Sequence, residues 1–136
     1  MSWVVDTCVV IDVLDVDSEH DLPSAQMLNS MLFEGLVLCP VCFVELAPSF
    51  DGDLRRQCDF FETAGIDYKE AWLLEDTYLA HAAWQRQIRA RHDKKAPRRP
   101  LADILIGAFS MRYEGLVTRN SSDFADIFPS LAIRVP

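Results

Sequence analysis

MSWVVDTCVV, residues 1–10, opens with an apolar run that is interrupted by a carboxylate. SWVVD is β-branched and aromatic without polar alternation, which reads as a short strand buried on both faces. Asp6 stands at its carboxyl end, and TCVVIDVL behind it has the apolar content of a helix that Asp6 would cap. The same plan recurs along the chain. GLVLC (35–39), GLVTR (115–119) and LAIRV (131–135) read as further buried strands, and IDYKE (66–70) as a weaker fifth. Segments with helical spacing lie between them: PSAQMLNSMLFE, CFVELAPSF, DLRRQCDFFETA, WLLEDTYLAHAAWQRQIRARH and PLADILIGAFSMRY. Alternation of strands and helices, with Gly35 and Gly115 at turns before two strands, predicts an α/β fold with a mainly parallel sheet covered on both faces.

Length and composition fit that reading. A chain of 136 residues forms one domain, residues 1–136, and buries roughly two-thirds of its unfolded surface. Half of the residues are apolar, in runs too short for a membrane span, and the N-terminus lacks the basic start of a secretory signal. These features predict a soluble, cytoplasmic protein without membrane association. Of the four cysteines, Cys8, Cys39, Cys42 and Cys58, three lie in apolar segments, as reduced core cysteines do. LCPVCF has Cys-x-x-Cys spacing, but the scattered His20, His81 and His92 supply no second ligand pair for zinc.

The net charge of −8 opposes indiscriminate binding to a phosphate backbone. Its distribution is uneven: residues 86–100 carry +6 through Arg86, Arg89, Arg91, Lys94, Lys95, Arg98 and Arg99 against Asp93, leaving −14 elsewhere. Such a segment suits contact with a polyanion, and equally a solvated helix end and loop.

In open parallel sheets, ligands bind beyond the carboxyl ends of the strands. Asp6 ends the first strand, and Glu45 follows the second inside CFVELA. Asp103 falls in the first turn of the helix started by Pro100, and Asn120 and Asp123 follow the strand GLVTR. Each acid also has a local explanation. Asp6 and Asp123 suit helix starts, Asp103 complements a helix dipole, and Glu45 suits the wet side of a helix. Those local roles leave their shared end of the sheet unexplained. Clustered carboxylates repel unless a cation compensates them, and hard oxygen donors select Mg²⁺ or Mn²⁺. Such an ion acidifies water and stabilises charge on a phosphoryl oxygen, as nuclease chemistry requires. Thr7, Thr118 and Asn120 would orient ligands or water around it, or serve as turn and cap residues.

VVDTCVVID, the helix with FVEL, ADILIGA and LVTRNSSDF occur in that order, and together they resemble PIN-domain ribonucleases, most closely the small VapC-type toxins of prokaryotic toxin–antitoxin pairs. The resemblance spans essentially the whole chain. It implies a three-layer α/β/α sandwich, a Mg²⁺ or Mn²⁺ site made by four acidic positions, and hydrolysis of RNA. Carried over by position, the acids are Asp6, Glu45 and Asp103, while the fourth position holds Asn120. Asp123, in the Asp-Phe pair, would then take over as ligand or reach through water. The resemblance also implies a partner antitoxin that covers the site, and a homodimer. With Asn120 in place of an acid, a non-catalytic binding or scaffold module of the same fold is the main alternative. A haloacid-dehalogenase-like phosphatase fits poorly because Cys8 stands where its second aspartate belongs. A phospho-acceptor receiver fits poorly because no lysine follows Lys95.

Overall fold

The computed structural model describes residues 2–16, 19–92 and 100–136. Five strands form one sheet: β1 (Trp3–Val5), β2 (Leu36–Val37), β3 (Ile66–Asp67), β4 (Gly115–Val117) and β5 (Ile133–Arg134). Their order is β3-β2-β1-β4-β5, and every neighbouring pair is parallel. The three residues of β1 and the three of β4 are all buried, as their unbroken apolar sequence requires. The fold is therefore α/β with a parallel central sheet flanked by helices, the class expected from the sequence.

Among the described residues, seven α-helices connect or cover the strands: α1 (Thr7–Leu14), α2 (Asp21–Ser30), α3 (Pro40–Glu45), α4 (Leu54–Ala64), α5 (Leu74–His92), α6 (Leu101–Ser110) and α7 (Ser121–Ile127). The crossovers from β1 to β2 and from β2 to β3 run one way along the sheet. Those from β3 to β4 and from β4 to β5 run the other way. Crossovers of parallel strands are right-handed, so the reversal puts their helices on opposite faces. The reversal falls between β1 and β4, which makes their carboxyl ends the topological switch point.

Two helices break inside their sequence-based bounds for local reasons. The expected helix over 42–50 begins earlier, with Pro40 at its first position, and stops at Glu45; residues Ala47–Phe50 continue as a 3-10 turn. Pro40 is preset for a helix start, whereas Pro48 has no N–H to give and clashes with the carbonyl four residues back. The expected helix over 23–34 likewise breaks after Ser30, and Leu32–Glu34 form a 3-10 turn that ends at Gly35 with φ 95°. Helix α5 starts at Leu74, where buried Asp76 accepts the Leu73 N–H at 2.9 Å, the reciprocal half of a capping box.

One continuous core joins the layers, with Phe61, Phe109, Phe124, Leu38, Leu46 and Ile104 among its largest fully buried side chains. Close approach is enforced at Gly107 in α6, where a Cβ would stand 2.4 Å from the Phe128 ring. Two ion pairs brace this frame. Arg112 binds both oxygens of Asp76, at 2.7 and 2.9 Å, and also donates to the Ala71 carbonyl. Arg134 binds both oxygens of Glu34, at 2.8 and 3.3 Å, with its guanidinium 4.2 Å from the centre of the Trp3 ring. None of the described helices is long and apolar enough to cross a membrane.

Candidate active site

Asp6 leaves β1 in extended conformation and forms the N-cap of α1, its Oδ1 accepting the Thr7 N–H at 2.8 Å. Its backbone N–H donates to the Val117 carbonyl at 3.0 Å, continuing the β1–β4 ladder past the last strand residue. Only 4% of Asp6 is exposed, so its charge depends on what surrounds it. Its Oδ2 accepts the fully buried Thr118 hydroxyl at 2.7 Å and the Cys8 thiol at 3.4 Å. The Thr118 hydroxyl in turn accepts the Asn120 N–H at 3.0 Å. Asp6 and Thr118 thus join the ends of β1 and β4 directly across the switch point.

Glu45 ends α3 and is exposed, its Oε1 accepting the Thr7 hydroxyl at 2.7 Å. The apolar residues beside it in sequence do not bury it, because α3 is short and Val44 is itself 71% exposed. Thr7 therefore links the first two acids, its N–H to Asp6 and its hydroxyl to Glu45. Asp103 lies in the first turn of α6 and Asp123 in the first turn of α7, both partly buried. Helix α7 follows β4 in the chain and α6 leads into it, so the chain order puts both first turns on the carboxyl-end side of β4. Among the described residues, no three His, Cys, Asp or Glu side chains converge closely enough to share an ion.

The thiols at this edge stay in the protein's own chemistry. All four cysteines are free. Burial first, and then the Asp6 charge, push the Cys8 thiol up to about 11, which keeps it a neutral donor to Asp6. Cys39 and Cys42 are fully buried on either side of the start of α3. The Cys42 thiol beside it holds Cys39 below the usual thiol range, while Cys42 is pushed up by that same neighbour and by burial.

The fit to a divalent ion rests on donor chemistry. An ionised carboxylate offers about four lone-pair positions, and Asp6 has three donors on them, from Thr7, Thr118 and Cys8. One position therefore remains for a cation. The donors expected around it, Glu45, Asn120 and the first-turn acids, are all oxygens of the kind that suits Mg²⁺ or Mn²⁺, but among the described residues they do not close around one point.

Sequence reasoning missed a second carboxylate on α1. Asp12 is 4% exposed, and both of its oxygens accept from Arg119, Nε at 2.7 Å and Nη2 at 3.0 Å. The buried Ser24 hydroxyl of α2 donates to it at 2.9 Å. The signal was an acid inside the apolar TCVVIDVL, which is costly to bury unpaired, together with the arginine of VTRN. Among the basic residues, Arg86, Arg89 and Arg91 are exposed on the last turns of α5, and Arg86 reaches the Ile127 carbonyl of α7 at 3.5 Å. Lys94, Lys95, Arg98 and Arg99 lie outside the described residues. An apolar groove of about 620 Å³ runs between α3, α5 and α6, lined by Val41, Val44, Trp72, Trp84, Leu101 and Leu105.

No family model and no curated protein matches the sequence. Among solved structures, the chain is similar to a chain of VapBC2 from Rickettsia felis bound to a DNA fragment from their promoter. The TM-score is 0.69 at 16% identity, and the match covers 100% of this chain and 99% of that one. The likeness is one of fold, end to end.

Proposed function

We propose that this protein is a Mg²⁺- or Mn²⁺-dependent ribonuclease and the toxin of a toxin–antitoxin pair. The observation that carries the reading is the Asp6–Thr118 bond across the switch point of the sheet, with Glu45 tied to the same point through Thr7. Asp6, Glu45 and Asp103 would draw together around the ion to hold it, with Asn120 or Asp123 at the fourth position, and a single ion suits the missing fourth acid. The bound ion supplies Lewis acidity toward a phosphoryl oxygen and an acidified water. The chain's own part is to fix the ligands. Thr118 and the α1 N-terminus hold Asp6 in one orientation, and Thr7 holds Glu45 toward it. No side chain acts as nucleophile in this scheme. The basic run from Arg86 to Arg99 would guide the RNA backbone.

The partner belongs to the same reading. The similar structure carries the name VapBC2, which fits the toxin–antitoxin resemblance of the sequence, and the groove beside α3 would offer a protein partner an apolar seat next to Glu45. We include a homodimer as the state in which the toxin meets that partner. A non-catalytic module of the same fold is the second reading, favoured by Asn120 at the fourth acidic position.

The test is cleavage of a mixed RNA pool with Mg²⁺ or Mn²⁺, with EDTA, and by an Asp6→Asn variant. Metal-dependent cleavage that disappears in the variant is the expected result. No cleavage of any RNA under any condition, together with no divalent-ion binding in a calorimetric titration of the same samples, would favour the binding module.

A further inference from the structure

The Asp12–Arg119 pair lies behind the candidate site, and its geometry connects it to the residues in front. Strand β4 ends at Val117, and the next three residues alternate in what they hold. Thr118 bonds Asp6, Arg119 bonds Asp12, and the Asn120 N–H returns to the Thr118 hydroxyl. Asp12 sits on the helix that Asp6 caps, so one rigid element anchors two successive residues of this short segment, Thr118 and Arg119. Ser24 of α2 fixes the Asp12 carboxylate from behind at 2.9 Å. A two-pronged guanidinium–carboxylate contact fixes orientation as well as distance, which a single hydrogen bond does not.

We propose that Asp12 is a positioning residue: by clamping Arg119 it sets where Thr118 and Asn120 stand against Asp6. The role in metal binding rests on the reading above, whereas the clamp itself does not. For the placement of Thr118 and Asn120, Asp12 and Arg119 act as one unit, so removing either loosens that placement as much as removing both, whereas only a single removal adds the cost of an unpaired charge.

The experiment uses the full chain as wild type, Asp12→Ala, Arg119→Ala and the double variant. Three measurements are made on each: thermal unfolding, amide hydrogen exchange at Asn120, and Mn²⁺ affinity by calorimetry. The double variant leaves no unpaired charge behind, so it remains informative if a single variant fails to fold. We expect faster exchange at Asn120 in all variants, and a loss of Mn²⁺ affinity of about tenfold or more, of equal size in the singles and the double. Arg119→Lys, which keeps the charge but loses the fork, should recover only part of the affinity. Unchanged exchange at Asn120 overturns the clamp, whether or not the protein binds Mn²⁺. Losses that add in the double variant overturn the unit. If wild type binds no Mn²⁺ while exchange at Asn120 still accelerates in the variants, the clamp stands and the metal reading falls.

Discussion

Thr118 is fully buried, and its hydroxyl donates to Asp6 while accepting from the Asn120 N–H. Replacing it by valine keeps the shape and strips a donor from a carboxylate that is 4% exposed. Thr118→Val should therefore cost about 1–3 kcal/mol, read as a lower urea midpoint at unchanged slope. Glu34 gives a pH-dependent case. The hydrogen bond from Arg134 holds its carboxyl below the usual glutamate range. A carboxyl that ionises more readily when folded adds stability above the ordinary range, and that contribution is lost as pH falls through the lowered folded value. Glu34→Gln should accordingly flatten the acid limb of a stability–pH curve and leave its shape near neutrality unchanged. At this scale the sequence was partly legible. Asp6 could be placed because a strand must end before it and a helix begin after it. Asp12 could not, because its partner Arg119 is far along the chain and only the folded sheet brings them together.

Helix α6 packs so closely against α7 and the residues after it that Gly107 leaves no space for a methyl group. Gly107→Ala would gain helix propensity, but the added Cβ would stand 2.4 Å from the Phe128 ring. Overpacking should win, with a net loss of about 1–3 kcal/mol in denaturant unfolding. Arg112 and Asp76 tie the end of α6 to the start of α5, with Asp76 fully buried. Arg112→Met would leave that carboxylate without its cation, and a loss of about 3–5 kcal/mol is expected by the same measurement. Helix positions were legible from apolar spacing, since amphipathic segments declare themselves locally. Their ends were less so at α3, where Pro40 starts a helix that Pro48 then prevents from continuing. Glu45 shows the cost of reading burial from sequence neighbours alone: in so short a helix, apolar neighbours such as Val44 face solvent too.

At the scale of the molecule, the described residues form one sheet of five strands, each of two or three residues, with every neighbouring pair parallel. Four of the strands were legible as short apolar runs and the fifth, in IDYKE, more weakly, and mainly parallel pairing followed from the helices between them. Their order was not, because pairing of strands dozens of residues apart leaves no local mark in the sequence. Yet that order creates the site, by putting the reversal of crossovers between β1 and β4 and so bringing Thr118 to Asp6. If the edge holds a divalent ion only when folded, Mn²⁺ at about a hundred times its dissociation constant should stabilise the protein by about 2.7 kcal/mol. The melting temperature should rise in wild type and stay unchanged in Asp6→Asn.

The central claim is that a cation binds where β1 and β4 end, and the most direct measurement is paramagnetic broadening of backbone amide signals during a Mn²⁺ titration. The account predicts that Thr7, Thr118 and Asn120 broaden first, at less than one equivalent, and that Asp6→Asn abolishes the effect. Broadening centred elsewhere in the fold, or none at any Mn²⁺ concentration, would contradict it.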